Sequence, residues 1–245
     1  MEHRSRLGIV GGMGPVAAAY FFKRLVELTP AKCDQDYVET FVHNNTQVPD
    51  RTAAILYGQA DPVPQLRRSV EILNRMGSDY IVLACMTSHH FIPQLQEHSK
   101  AIILDGIAQT AERCRDLGVS KVGVMATAGT ITMGLFHKPL HQLGIDALVL
   151  NEQDQVTYFT EPVYAPWGIK AGNVTGLPKE RLRQGAQILI DSGAEAIIAG
   201  CTELPLVLKQ DEFPVPLLDT IDVLLEVAIR RCLNTAARDP QTLAR

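Results

Sequence analysis

The sequence predicts an α/β protein of two similar lobes, each a short parallel sheet flanked by helices. Three observations carry that expectation. Short apolar runs alternate with amphipathic stretches along the chain, the pattern of strands and helices taken in turn. The runs are nearly continuous rather than alternating with polar residues, as in parallel strands covered on both faces. The chain also repeats itself at an offset of about 115 residues, which makes the repeating unit a lobe rather than a solenoid turn. Leu7-Gly8-Ile9-Val10 corresponds to Val122-Gly123-Val124-Met125, and Ile103-Leu104-Asp105-Gly106-Ile107 to Leu217-Leu218-Asp219-Thr220-Ile221. The third anchor is a pair of thiols: Cys85 closes the apolar run in 79–87 and Cys201 the one in 195–203, each followed within two residues by Thr.

The elements follow in order. An apolar strand over 7–10 turns through Gly11-Gly12-Met13-Gly14-Pro15 into a helix over 16–29, with Pro15 at the helix start, where a missing N–H costs nothing. The run 38–43 is the second strand and the amphipathic stretch 62–76 the second helix. Strand 80–84 ends at Cys85, and a helix over 90–99 follows. Strand 102–104 leads into helix 107–117. Strand 122–126, helix 133–143 and strand 147–150 come next. Helix 178–192, strand 196–199 running into Cys201, strand 217–218 and helix 220–234 complete the pattern. Residues 239–245 form a polar tail.

Composition excludes several classes. The 245 residues are 46% hydrophobic and 20% charged, with net charge -4 and a sequence pI of about 6.0. No Lys/Arg cluster offers an electrostatic footprint for nucleic acid. No apolar run approaches the roughly 18 residues of a membrane span, and the polar residues 1–6 do not resemble a signal peptide. Five cysteines, an odd number, point to reduced thiols and a cytoplasmic enzyme rather than a disulfide framework. Cys114 and Cys232 on amphipathic helices and Cys33 in a polar loop read as structural.

Cys85 and Cys201 read differently. In open parallel sheets ligands bind beyond the carboxyl ends of the strands, where both thiols are expected. N–H groups and the helix dipole at a strand-to-helix turn favour a thiolate. If the halves face each other, the thiols do too. Facing thiols can take a proton from one side of a carbon and return one to the other.

The motifs carry a resemblance that runs almost end to end. They are residues 11–15; Asn44-Asn45 with Val48-Pro49-Asp50-Arg51-Thr52; Ala84-Cys85 through Thr87 and His89; Ala126-Thr127 with Gly129-Thr130; Ile169-Lys170-Ala171-Gly172; and Gly200-Cys201-Thr202-Glu203-Leu204-Pro205. With them the chain resembles the cofactor-independent aspartate/glutamate racemase family, most closely its aspartate racemase branch. The resemblance implies two lobes related by pseudo-twofold symmetry, with the active site between them. It divides the chain into a first lobe of 1–100 plus 215–245 and a second of 101–214, with 215–233 packing against the first, and implies a homodimer. It implies a two-base transfer of the α-proton of aspartate, or of glutamate, between Cys85 and Cys201, without pyridoxal phosphate or a metal. By the same resemblance Arg51 and Lys170 bind the distal carboxylate, which suits the planar arginine fork. Thr87, Thr127, Thr130 and Thr202 are placed to stabilise developing charge on the α-carboxylate. Met13, Asn45 and Glu203 complete the site, with Gly14 beside Met13. Met86 departs from the family's usual Asn and removes its polar contacts, which bears on substrate preference.

Other readings rank lower. Gly12-Met13-Gly14-Pro15-Val16-Ala17 fits a dinucleotide fingerprint, but the second strand lacks the acidic residue that motif needs at its end. His137 and His141 have a zinc-compatible spacing with no third ligand nearby. His89 after Cys85 could make a hydrolytic dyad, but more simply shapes the turn. Glu203 could equally cap the helix it opens. The alternative functions are a related isomerase or decarboxylase of a small dicarboxylic acid, and an amino-acid-binding homologue with weak catalysis.

Overall fold

A computed structural model describes residues 4–234; the tail expected over 239–245 lies outside them. In the first part of the chain run β1 (Leu7–Gly11), α1 (Pro15–Leu28), β2 (Thr40–Asn44), α2 (Arg51–Tyr57), α3 (Val63–Met76), β3 (Tyr80–Leu83), α4 (Ile92–Gln96), β4 (Ile102–Ile103) and α5 (Gly106–Asp116). Then follow β5 (Lys121–Met125), α6 (Ala128–Thr132), α7 (His137–Gln142), β6 (Asp146–Leu148), α8 (Glu152–Gln155), α9 (Glu161–Tyr164), α10 (Leu177–Asp191), β7 (Ala196–Ala199), β8 (Leu217–Asp219) and α11 (Thr220–Cys232).

The strands form two parallel four-stranded sheets, ordered β2-β1-β3-β4 and β6-β5-β7-β8. The two orders are equivalent under the repeat, so the duplication legible in the sequence is a duplication of sheets. β1 is buried at every residue and β7 likewise, which explains why these strands read as unbroken apolar runs. Carboxylate and hydroxyl side chains start several helices by accepting backbone N–H groups that the first turn leaves free: Asp50 for α2, Asp105 for α5, Thr127 for α6 and Asp219 for α11.

Three apolar clusters hold the layers. One lies outside the first sheet, under α3 and α4, and includes Leu66, Val70, Leu83 and Leu95. One lies outside the second sheet, under α10, and includes Leu182, Ala186, Leu189 and Ile197. The third joins the halves: Leu7, Ile9 and Val82 of the first sheet and Val122, Val124 and Ile198 of the second meet α5 and α11 in a common core. Two helices shared by both sheets fix the lobes against each other.

The expected division of the chain falls close to the sheets but not on them. β4 pairs with β3 in the first sheet, whereas β8 pairs with β7 in the second. The helix after β8 does pack on the first lobe. Ser5 donates to the Cys232 carbonyl at 3.1 Å, and Arg24 of α1 meets Asp222 of α11 at 2.7 Å.

Local differences have local causes. The helix expected over 133–143 begins only at His137, because Gly134 has φ +64°, outside the helical region. Residues 86–91 form a 3-10 turn before α4, so the helix expected over 90–99 is shorter. The segment 152–171, which has no clear period, folds as α8, a π turn over Val156–Thr160, α9 and a 3-10 turn at Ile169–Ala171.

Candidate active site

The site lies beyond the carboxyl ends of the two central strands of each sheet. Met13 follows β1, Cys85 follows β3, Thr127 follows β5 and Cys201 follows β7. The two thiols, one from each lobe and each 6% exposed, line one cavity. Met13, Arg51, Met86, Thr87, Thr127, Lys170, Thr202 and Glu203 complete its wall with Thr52 and Tyr164. The cavity encloses only about 10 Å³, the room of a single water. Outside it is a vestibule of about 390 Å³, and Met13, Arg51, Tyr164, Lys170 and Glu203 border both spaces. These five residues stand where the two spaces adjoin.

Charge is concentrated at this partition. Arg51, the first residue of α2, is 8% exposed and donates to the carbonyls of Pro49 at 2.9 Å, Met13 at 3.2 Å and Val48 at 3.4 Å. Its buried Nε has no partner. Burial opposes the guanidinium charge, but Cys85 and Asp50 beside it outweigh burial and raise the Arg51 pKa. Lys170 Nζ donates to Glu203 Oε1 at 2.6 Å and to the Met13 carbonyl at 3.4 Å, and lies 5.5 Å from the Tyr164 ring centre. Burial would push the Glu203 carboxyl up. The Lys170 ammonium and hydrogen bonds from Cys201, Lys170 and Thr202 hold it below the usual carboxylate value instead. Burial alone would lower the Lys170 pKa, and Glu203 reverses that. The pair is ionised.

The thiols have different neighbours. Cys201 Sγ donates to Glu203 Oε2 at 3.0 Å. Burial, then the Glu203 charge, push this thiol well above its ordinary pKa. Thr202 Oγ1 crosses to the other lobe, donating to the Ala84 carbonyl at 3.4 Å, and also meets Glu203 Oε2 at 3.3 Å. On the Cys85 side, the hydroxyls of Thr87, Thr127 and Thr130 close a ring with edges of 3.0, 3.1 and 3.1 Å. His89 does not reach the thiol: its Nδ1 sits 3.1 Å from the Cys85 carbonyl, and burial lowers its pKa, keeping the imidazole neutral. It braces the turn.

Two expected residues stand back from the cavity. Asn45 is 3% exposed, and its amide donates to Ser69 Oγ at 3.0 Å and to the Gln65 carbonyl at 3.1 Å. It supports the loop under Gly12, whose φ of +94° brings its Cα against the Asn45 backbone. Thr130 lies one layer behind Thr87 and Thr127. Two wall residues were not expected. Thr52 follows Arg51 on α2, where the chain pattern alone could have suggested it. Tyr164 ends α9 in the irregular segment, where no periodicity pointed to it. Tyr164 is 39% exposed as a residue, yet burial of its hydroxyl, then charge at Cys201 and Glu203, raise its pKa well above the ordinary value.

The chain and its fold are similar to those of several known proteins. The aspartate racemase of Picrophilus torridus shares the fold at 24% identity with a TM-score of 0.79, each chain covered over 96%. The broad specificity amino-acid racemase RacX of Bacillus subtilis is 23% identical over 228 residues, 87% of this chain and 92% of RacX. The glutamate racemase of Carboxydothermus hydrogenoformans is 25% identical over 155 residues, 63% of this chain and 55% of that enzyme's length. Among the described residues no helix is long and apolar enough to cross a membrane. The family model described as Asp/Glu/hydantoin racemase matches residues 10–228, nearly the whole of both lobes and every wall residue above, and the chain belongs to that family.

Proposed function

We propose that the protein is an amino-acid racemase that works without pyridoxal phosphate, by a two-base 1,1-proton transfer through Cys85 and Cys201. The observation that carries this reading is the meeting of two thiols from opposite lobes on one small cavity. The α-hydrogen of an amino acid is a very weak acid. A single base tends to return the proton to the face it came from, so inversion needs a group on each face. In the proposed step one thiolate removes the α-proton and the C–H electron pair delocalises into the carboxylate. The other thiol then delivers its own proton to the opposite face. The product leaves with inverted configuration and the two cysteines have exchanged protonation states.

The surroundings suit that chemistry. The unpartnered Nε of Arg51 is a charged donor waiting for an acceptor, which a carboxylate would satisfy. Hydroxyls of Thr87 and Thr127 stand in the wall beside the thiols; each spends its one proton within the ring, so a donor for developing negative charge becomes available when substrate opens that ring. For the substrate we propose aspartate, with glutamate second, because Arg51 and Lys170 can grip a second carboxylate. A second reading is a broader preference that includes neutral amino acids. It is favoured by the Lys170 ammonium being already paired with Glu203 and by the buried thioether of Met86 in the wall.

The experiment is enantiomer analysis by chiral chromatography after incubation with L-aspartate, L-glutamate or L-alanine, with no pyridoxal phosphate added. Formation of the D-enantiomer supports the reading, and the order of rates decides between the two substrate preferences. No inversion of any of the three would sink it.

A further inference from the structure

Resting on that reading, we propose that Glu203 is a positioning residue that keeps the proton on Cys201 in the substrate-free enzyme, so that the first proton abstraction falls to Cys85. The argument begins with the repeat. Ala84-Cys85-Met86-Thr87 and Gly200-Cys201-Thr202-Glu203 occupy equivalent turns after β3 and β7. Two residues beyond the thiol, one turn carries a neutral hydroxyl and the other a carboxylate. The duplication is broken at the position that faces the reacting sulfur.

Each substitute has its own partners. Thr87 is absorbed into the hydroxyl ring with Thr127 and Thr130, and makes no charge near Cys85. Glu203, 3% exposed, takes the S–H of Cys201 on Oε2 at 3.0 Å and the ammonium of Lys170 on Oε1 at 2.6 Å. With its two oxygens divided in this way, the carboxylate is pinned. A Cys201 thiolate would lose the hydrogen bond and face a carboxylate of like charge at the same 3.0 Å, an arrangement buried pairs avoid. The Lys170 ammonium, helped by the Thr202 hydroxyl 3.3 Å from Oε2, holds Glu203 as the carboxylate that accepts the S–H of Cys201. On the other side, Cys85 shares the cavity wall with the Arg51 guanidinium. The two cysteines are equally hidden as residues, at 6% exposure each, and the carboxylate beside Cys201 distinguishes their surroundings.

Proton bookkeeping stays balanced. Cys85 accepts the α-proton, Cys201 gives its own to the other face, and Glu203 neither gains nor loses one. After such a turnover the thiolate is on Cys201, beside Glu203. The enzyme then resets either through the reverse reaction or by proton return from water.

The test is alkylation of the substrate-free protein with iodoacetamide at pH 7.5, each cysteine followed by mass spectrometry at low conversion. In the wild type Cys85 should react at least about tenfold faster than Cys201, since only thiolate attacks. In Glu203→Gln the Cys201 rate should rise by about tenfold, with Cys85 changed less than about twofold. Cys114 and Cys232, both 0% exposed, report folding. If they become reactive the variant has opened, and the wild-type ratio and Glu203→Asp, which draws the carboxylate back from the sulfur, decide instead. Cys201 reacting as fast as Cys85 in the wild type overturns the inference, as does an unchanged Cys201 rate in a folded Glu203→Gln. A parallel assay of α-proton exchange on the same preparation separates the two proposals. Cys201 reacting first in a protein that exchanges the α-proton before alkylation sinks the assignment alone. Cys85 reacting first in a protein that exchanges no amino acid before alkylation leaves the thiol asymmetry and sinks the racemase reading.

Discussion

Lys170→Met keeps the aliphatic stem and removes only the charge that faces Glu203. The Glu203 side chain is 4% exposed and that of Lys170 24%. Removing one partner of a buried pair costs about 3–5 kcal/mol, because the other charge stays behind unpaired. The partly open ammonium puts this case near the lower end, about 3 kcal/mol. With a urea slope of about 3 kcal/mol/M for a chain of this size, the midpoint should fall by about 1 M at pH 7.5. The pH dependence gives the argument its sign. In the wild type the Glu203 carboxyl is held below its ordinary value. Its contribution is therefore present above the unfolded value of about 4.3 and lost as pH falls through the folded one. In the variant, burial is no longer offset by the ammonium, so the carboxylate becomes a liability that grows as pH rises past that value. The deficit should be large at pH 7.5 and shrink toward pH 4.5, read by urea unfolding followed by circular dichroism. A midpoint shift under about 0.3 M at pH 7.5, or an equal deficit at both pH values, would refute the claim that the pair is ionised and buried.

Three further outcomes follow from the fold. Gly12→Ala should destabilise the protein by at least about 2 kcal/mol, because φ is +94° and a Cβ would stand 2.3 Å from the Asn45 carbonyl carbon; an unchanged melting temperature would contradict this. Phe136→Ala, at a fully buried ring in the core shared by the lobes, should cost about 3–5 kcal/mol in urea unfolding. Asp219→Asn should raise the urea midpoint at pH 8 and leave it unchanged at pH 4. Burial, then the Asp222 charge, push the Asp219 carboxyl up to about 7. Its stabilising contribution is thus full below about 4 and lost as pH rises through about 7, while Asn keeps the capping bond to Ile221.

Much of this was legible in the chain because it is local. Strands buried on both faces write themselves as apolar runs, and the thiols stand at their ends. The repeat placed Cys85 and Cys201 in equivalent turns, and of the ten further residues expected from the motifs of the resemblance eight line the same cavity. Asn45 and Thr130 stand outside the cavity wall, each turning its side chain into supporting hydrogen bonds. Tyr164 was hidden because α8, the π turn and α9 follow no single period. The Lys170–Glu203 pair joins residues 33 apart across a loop, and no local pattern encodes such a partner. The sheets divide the chain elsewhere because β4 pairs into the first and β8 into the second, while α11 packs in the core they share, a division made by packing.

The central claim is that two thiols, one on each face, move the α-proton. Proton NMR in heavy water with L-aspartate, on wild type and on Cys85→Ser and Cys201→Ser, tests it most directly. The wild type should lose the α-proton signal as D-aspartate grows, and each serine variant should fold normally and fail to produce the D-enantiomer. Full racemisation by either serine variant would contradict the account.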